Sequence, residues 1–142
     1  MKIVVQKFGG SSVADPDRIR RVCSRIAETY DAGNSVVVIV SAMGDTTDDL
    51  IYLASQLTAE APKREMDQLL ATGEQQSAAL VAMTLVKMGY PAISLTGFQA
   101  GYHTDGVFSK AKIREMSSER VLKEIGEGKI VIVTGFQGID DN

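Results

Sequence analysis

A chain of 142 residues is long enough for one compact domain with a buried core and too short for two of ordinary size. Hydrophobic residues make up 44% of it and charged residues 23%, which is typical of globular proteins. The net charge of −3, without a long run of one sign, argues against a nucleic-acid-binding surface, and the longest apolar run is too short to cross a bilayer. With no secretory signal pattern, these features predict a cytoplasmic protein with no nucleic-acid or membrane partner.

Residue types that make disulfides and metal sites are scarce. Cys23 is the only cysteine and His103 the only histidine, so an internal disulfide and a metal cage of nitrogen and sulfur ligands are both excluded. Cys23 falls on the apolar stripe of a predicted helix, which favours a buried structural thiol. We predict no metal site among the protein side chains.

Four short apolar runs predict β-strands. Each is continuous rather than alternating, which is typical of strands that are buried on both faces of a parallel sheet. The predicted strands are Ile3–Val5, Val36–Val40, Ala92–Leu95 and Ile130–Val133.

Helical patterns separate these strands. Asp15-Pro16 has the form of an N-cap followed by proline at the first helical position, and Gly33 is placed to end that helix. Further helices are predicted over about Asp45–Thr58 and Ser118–Ile125. Strands that alternate with helices predict an α/β fold with a mainly parallel sheet.

The long segment Lys63–Met88 also has a helical pattern. Its apolar residues in register predict the buried face, but Thr72-Gly73-Glu74-Gln75 interrupts it. A threonine three residues before a glutamine is a capping-box pattern, so we predict a break and a new helix start there. The residues in register are Met66, Leu69, Leu70, Leu80, Met83, Thr84 and Met88.

Stretches rich in glycine, serine and threonine follow each predicted strand. In open α/β sheets, ligands bind outside the carboxyl ends of the strands, and such residues offer backbone N–H groups and hydroxyls to an anion. One tetrapeptide, Thr-Gly-Phe-Gln, occurs in two of them; either the two strand ends line one cleft or the recurrence is chance. The four stretches are Lys7–Ser12, Ser41–Thr47, Thr96–Gly101 and Thr134–Gly138.

The first of these stretches has two interpretations. Gly9 and Gly10 could form a backbone cradle for phosphate oxygens, with Lys7 as a positive charge beside it. The order of lysine and glycines differs from that of a P-loop and of G-x-G-x-x-G. The alternative is a tight turn between strand and helix with a solvated lysine.

Other polar residues near the strand ends are equally open. Glu74 in a first helical turn could simply complement the helix dipole, and Thr46–Asp49 could simply cap a helix. His103 precedes a turn-like Thr104-Asp105-Gly106 and is most simply structural or solvated. A Ser-His-Asp hydrolase is disfavoured because no G-x-S-x-G elbow occurs.

Read together, these stretches resemble the N-terminal part of the kinase domain of the aspartate kinases (aspartokinases), in the amino-acid kinase family. The likeness runs through the chain from end to end and in order. The matching words are Lys7-Phe8-Gly9-Gly10-Ser11-Ser12-Val13; Ser41-Ala42-Met43-Gly44 with Thr46-Thr47-Asp48; Arg64-Glu65 with Leu70-Ala71-Thr72-Gly73-Glu74-Gln75; Ser94 to Gly101; and Gly135-Phe136-Gln137-Gly138.

The resemblance implies the open αβα sandwich of that family, the carbamate kinase-like fold. It also implies Mg²⁺-dependent transfer of a phosphoryl group from ATP to the side-chain carboxylate of L-aspartate, at the entry to diaminopimelate, lysine, threonine and methionine synthesis. Lys7 matches the family's catalytic lysine, which neutralises the transferring group, and with Phe8, Gly9 and Gly10 it matches the site for the ATP phosphates. Thr47 and Glu74 match aspartate-binding positions.

The resemblance also implies that residues 1–142 are one lobe of a longer enzyme. Family members continue with a Gly-Arg-Gly-Gly-Ser-Asp stretch, a nucleotide-binding half and ACT domains, none of which follows Gly138 here. We therefore expect little kinase activity from this chain alone, and an exposed strand edge whose partner is the C-terminal half or another copy in a homo-oligomer. The alternatives are a kinase for another acceptor, such as acetylglutamate, glutamate or a nucleoside monophosphate, and a non-catalytic amino-acid-binding or oligomerisation module.

Overall fold

A four-stranded parallel sheet forms the centre of the molecule. The structure is a computed structural model, and it describes residues 1–110 and 112–135. The strands of the sheet, in spatial order, are β1 (Ile3–Phe8), β2 (Ser35–Val40), β6 (Ile130–Thr134) and β3 (Ala92–Leu95), and a separate antiparallel hairpin consists of β4 (Tyr102–Thr104) and β5 (Ile113–Met116).

Helices cover both faces of this sheet. The helices are α1 (Pro16–Asp31), α2 (Thr46–Ser55), α3 (Lys63–Lys87) and α4 (Glu119–Gly126), and a 3₁₀ turn spans Gly10–Val13. Helices α1 and α3 enclose the larger hydrophobic cluster on one face, and α4 packs against β6 within the smaller cluster on the other. The predicted α/β sandwich with a mainly parallel sheet is confirmed.

The first helix and its cysteine are as predicted. The Asp15 carboxylate accepts a hydrogen bond of 2.8 Å from the Arg18 N–H, Pro16 opens the helix, and Gly33 follows it with a φ of +88°. Cys23 is fully buried, and its burial raises the pKa of the thiol to about 11. A buried thiol that stays protonated is a packing residue rather than a nucleophile.

Burial on both faces holds for the inner strands but is wrong for β1. Its side chains alternate between partly buried and exposed, and Ile3 and Val5 are 47% and 60% exposed. Within the described residues β1 pairs only with β2. Helix α4 lies on the same face of the sheet as Ile3 and Val5, but it packs against β6 and leaves β1 uncovered. The exposed edge and apolar face agree with the expectation from the sequence; self-association through them stays a prediction.

The predicted break in the long helix is also wrong. Helix α3 runs through 25 residues without interruption, and the Thr72 hydroxyl donates to the Leu69 carbonyl at 2.7 Å instead of capping a new helix. A serine or threonine inside a helix commonly bonds back to the preceding turn in this way, so the capping-box pattern was satisfied by coincidence.

The buried face of α3 also differs from the prediction. Leu80, Met83 and Met88 are exposed, and small residues take most of the buried positions. Small side chains let the helix lie close to the sheet and to α2, an arrangement that a search for large apolar residues overlooks. The buried residues are Gly73, Ser77, Ala78, Val81, Ala82 and Leu85.

A buried carboxylate joins α4 to β6. Glu124 is 4% exposed; it accepts hydrogen bonds from the Lys129 ammonium at 2.5 Å and from the Arg120 guanidinium at 2.7 Å. These two bonds, that from Lys129 first, hold the pKa of the Glu124 carboxyl below its ordinary value of 4.5. A lowered folded-state pKa means that ionised Glu124 stabilises the fold above pH 4.5, and that this stabilisation disappears as the pH falls through the folded-state pKa.

Glu124→Gln is therefore expected to lower the free energy of unfolding at pH 7 and to have much less effect near pH 3. Urea unfolding of both proteins at the two pH values measures this. Glu127→Gln is the matched control, because Glu127 bonds the same lysine at 2.7 Å from a half-exposed position and should have a smaller effect. An equal loss at both pH values would contradict an ionic role for Glu124.

Candidate functional site

The carboxyl ends of all four parallel strands lie at one edge of the sheet. The loops that follow are tied to one another by backbone hydrogen bonds: Ser41 N–H to Phe8 at 3.2 Å, Gly44 N–H to Gly10 at 2.9 Å, and Gly135 N–H to Val40 at 2.8 Å. The predicted meeting of the strand-end stretches is thus observed as far as the described residues extend. Phe136, Gln137 and Gly138 lie outside them.

A cleft of about 1220 Å³ opens at this edge. Its walls are the strand-end loops, the N-terminal half of α3 and the β4–β5 hairpin. The strand ends, the loops after them and the start of α2 contribute Gly10, Ile39, Ser41, Ala42, Gly44, Thr47, Thr96, Gly97, Phe98, Val133, Thr134 and Gly135. Helix α3 contributes Arg64, Asp67, Gln68, Leu70, Ala71, Glu74 and Gln75, and the hairpin contributes Tyr102, Thr104, Asp105, Val107, Phe108, Ser109, Lys110, Ile113 and Met116.

Two of the predicted site residues, Thr47 and Glu74, line this cleft together. Gly73 is the reason that their helices come close: a Cβ built on it would lie 3.0 Å from the Ala42 Cβ and 3.4 Å from the Thr46 Cγ2. A larger residue would force these neighbours to shift, so glycine lets α3 approach both the loop after β2 and the first turn of α2 at this distance. Glu74 therefore lies in the middle of a helix facing the cleft, and not in the first turn of a new one.

Gly9 and Gly10 lie beside the cleft with different surroundings. A Cβ on Gly10 would lie 2.8 Å from the Ala42 carbonyl oxygen, so this glycine is required for packing between the loops, and Gly10 also lines the cleft. A Cβ on Gly9 would meet nothing within 4 Å. The bare backbone at Gly9 is open to a ligand, as a phosphate cradle requires.

Lys7 and Phe8 do not line the large cleft. They border a smaller groove of about 350 Å³, which Gln6, Arg25, Glu28 and Thr29 complete. Lys7 is paired in register with Ile39, which does line the cleft. Because side chains at paired positions point to the same face of a sheet, the exposed Lys7 side chain lies on the face where the cleft begins, one strand away.

The recurring tetrapeptide marks neighbouring strand ends. Thr96 and Gln99 bond each other reciprocally after β3, from the Thr96 N–H to the Gln99 Oε1 at 3.1 Å and from the Gln99 N–H to the Thr96 hydroxyl at 3.3 Å. Strands β3 and β6 are adjacent, and the loop after each lines the cleft. Of the two interpretations, a shared cleft is the one observed.

The hairpin wall was not predicted from the sequence. Its residues had shown only a turn signal at Thr104-Asp105-Gly106, and its strands are too short and too exposed to give a strand pattern. In the structure, His103 packs edge-to-face on Phe98 with ring centroids 6.5 Å apart, a contact compatible with a structural role. The lining residues Arg64, Asp67 and Gln68 were likewise not predicted as site residues, because charged and amide side chains on a helix are usually solvated.

The described residues contain neither a membrane-spanning helix nor a cluster of metal-binding side chains. No helix in residues 1–110 or 112–135 is long and apolar enough to span a membrane. Across the same residues, no group of three or more His, Cys, Asp or Glu side chains could hold a metal ion.

Comparison with known proteins identifies the family and the fold. Residues 2–142 match the sequence profile of the amino acid kinase family. The chain belongs to that family. Among its relatives, the aspartokinases of Bacillus sp. strain MGA3 and Mycolicibacterium smegmatis are 54% and 56% identical over 142 residues, which is 100% of this chain and 34% of each relative. This amino acid kinase chain thus spans about a third of the length of the curated relatives that it matches.

Solved structures agree with the family assignment. The aspartate kinase from Synechocystis matches with a TM-score of 0.81 at 49% identity, over 97% of this chain and 22% of that one. Aspartokinase III of E. coli, crystallised with aspartate and ADP in the R-state, gives the same TM-score at 20% identity over 99% of this chain and 42% of that one. At that identity, the second match supports the fold alone.

Proposed function

We propose that this chain forms the aspartate-binding part of an aspartate kinase, an enzyme that transfers a phosphoryl group from ATP to the side-chain carboxylate of L-aspartate. The observation that carries the proposal is the meeting of Thr47 and Glu74 in one cleft across the Gly73 contact. High identity to proteins named aspartokinase supports aspartate over another acceptor.

The proposed roles follow from the chemistry of a small zwitterion. Glu74 offers a carboxylate to the substrate ammonium, and Thr47 offers a hydroxyl to a substrate carboxylate near the N-terminal end of α2, where the helix dipole also favours an anion. Both residues lie on helices, which hold side chains in place better than loops would.

Phosphoryl transfer to a carboxylate requires little acid–base catalysis by the protein. The substrate carboxylate is ionised near neutral pH and is already a nucleophile, so no general base is needed. The barrier comes from bringing two anions together, which positive charge and preorganised donors lower. In the proposed mechanism Lys7 screens the transferring group, and the backbone at Phe8, Gly9 and Gly10 receives the ATP phosphates.

ATP and Mg²⁺ fit the residues that surround the strand ends. The open backbone at Gly9 and the hydroxyl at Ser41 suit phosphate oxygens. Mg²⁺ keeps several waters and binds mainly through substrate phosphates, so the lack of a carboxylate cluster in the described residues is compatible with it. Bound there, the ion would neutralise charge on the phosphates.

The proposed place in metabolism follows from the acceptor. A kinase for L-aspartate would supply an activated aspartyl phosphate to the synthesis of diaminopimelate, lysine, threonine and methionine. We propose a cytoplasmic setting for this reaction, with L-aspartate and ATP as its small-molecule partners.

Aspartate binding tests the proposed function most directly. The proposed roles of Thr47 and Glu74 concern aspartate alone, whereas turnover can require parts of the relatives that this chain, about a third of their length, does not span. We expect titration calorimetry to detect L-aspartate binding, and Glu74→Gln to weaken it by roughly 10- to 100-fold, which is the usual cost of losing one charge-assisted hydrogen bond. Thr47→Val should weaken it less.

Glu60→Gln is the matched control, since Glu60 is exposed and lies outside the cleft. Glutamate and acetylglutamate, titrated in parallel, test the acceptor. Aspartate-dependent ADP release from MgATP, with Lys7→Met as the control, tests turnover. Equal aspartate affinity in the Glu74→Gln and unsubstituted chains would contradict the proposed site.

A further inference from the structure

The β4–β5 hairpin reaches across the cleft and touches the molecule at both ends. At its base, the Tyr102 N–H donates to the Gly97 carbonyl at 2.9 Å and the Ser117 N–H to the Gly101 carbonyl at 3.0 Å. At its tip, the Ser109 N–H donates to the Asp67 carboxylate at 2.8 Å. The residues between these contacts line the cleft, so the hairpin is its outer wall.

The turn of the hairpin keeps its own shape. The Asp105 carboxylate accepts from the N–H groups of Val107 and Lys112 at 3.3 and 3.1 Å, and the Asp105 N–H donates to the Lys112 carbonyl at 2.9 Å. These hydrogen bonds lie within the turn and do not tie it to the rest of the molecule. Its position over the cleft, as opposed to its shape, depends on what holds the tip.

The contact between the tip and α3 is specific. Ser109 has a φ of +67°, a left-handed conformation that no other described residue except glycine adopts. This conformation is costly for a residue with a Cβ, and here it directs the N–H at Asp67. Asp67 is partly buried in the first turns of α3, two helical turns before Glu74 and on the same cleft-lining face.

We propose that Asp67 is a positioning residue: it anchors the hairpin tip through Ser109 and thereby holds the outer wall of the cleft in place around the acceptor. The acceptor part of this inference rests on the proposed function. Asp67 acts through the hairpin, and its loss should widen the cleft while leaving Thr47 and Glu74 in place.

Hydrogen exchange of the whole chain, combined with aspartate titration, tests this inference. Asp67→Ala should speed exchange at the Ser109 amide and its neighbours on the order of tenfold, the effect of losing one hydrogen bond to a charged group. It should also weaken aspartate binding several-fold. Asp67→Asn keeps an oxygen acceptor and should restore part of both effects.

Two control variants separate the anchor from general effects. Ser109→Gly keeps the N–H and relieves the left-handed conformation, so the tip should remain protected. Glu60→Ala removes an exposed carboxylate that lies outside the cleft and should change neither readout.

Unchanged exchange at the hairpin in Asp67→Ala would overturn the inference. So would faster exchange with unchanged aspartate affinity, since the hairpin would then be anchored without shaping the site. Absence of aspartate binding by the unsubstituted chain would contradict the proposed function, and with it the acceptor role of Asp67. The two failures are therefore distinguishable.

Discussion

Gly101→Ala should destabilise the chain by about 3 kcal/mol or more, a loss that is typical of strain at a special backbone conformation. Gly101 has a φ of +90°, and a Cβ built on it would lie 2.2 Å from the Ser117 carbonyl oxygen and 3.1 Å from its carbonyl carbon. Both neighbours are backbone atoms, so no side chain can rotate away. The substitution must separate the two strands at the base of the hairpin.

Gly89→Ala separates the two causes of this loss, the left-handed backbone conformation and the steric contact. Gly89 has a similar φ of +95°, but a Cβ there would meet nothing within 4 Å. It should therefore cost only the left-handed conformation, about 1–2 kcal/mol. Urea unfolding of the two variants measures the difference, which is the cost of the contact with Ser117. Equal losses in the two variants would contradict the close approach at the hairpin base.

The sequence was sufficient for elements whose signals are local. The four valine- and isoleucine-rich strands, the Asp15-Pro16 start of α1 and the burial of Cys23 were all correct, because apolar period and capping chemistry act over a few residues. The parallel topology then placed the glycine- and serine-rich loops at one edge, since the carboxyl ends of parallel strands coincide.

The errors came where tertiary packing decides. Whether a face of β1 is exposed depends on which other elements cover it. Burial alternates along β1 although Ile3, Val4 and Val5 are all apolar, so the residue types did not indicate the exposed face. Helix α3 continues through Gly73 although a glycine inside a helix costs about 1 kcal/mol of stability. Packing of α3 against α2 and the sheet outweighs that cost. The same glycine that suggested a break is the point of closest approach to Ala42.

Only part of the candidate site was predicted, again because tertiary contacts decide the rest. Thr47 and Glu74 were named from the resemblance, and the structure brings them into one cleft. Asp67 and the hairpin were missed because the contact from Ser109 to Asp67 joins residues 42 positions apart, and neither residue carries a local signal. Long-range contacts between single polar groups leave no periodic pattern in a sequence.

The Gly73 contact leads to the second large expected effect. Gly73→Val should lower the free energy of unfolding by about 2–3 kcal/mol through overpacking and also abolish most aspartate affinity. The Cβ alone would lie 3.0 Å from the Cβ of the buried Ala42 and 3.4 Å from the Thr46 Cγ2, so the larger valine must push α3 away from the loop after β2 and from the start of α2. That movement separates Glu74 from Thr47.

Two smaller substitutions serve as comparisons for Gly73→Val. Gly73→Ala gains about 1 kcal/mol of helix propensity against a tight contact, so its stability should change little while aspartate affinity still falls. Gly126→Ala, at the end of α4 with nothing within 4 Å of the added Cβ, should leave aspartate affinity unchanged. Calorimetric titration and urea unfolding of all three variants separate loss of the site from loss of the fold. If Gly73→Val bound aspartate as tightly as the unsubstituted chain, the approach of α3 to α2 would not be what assembles the site.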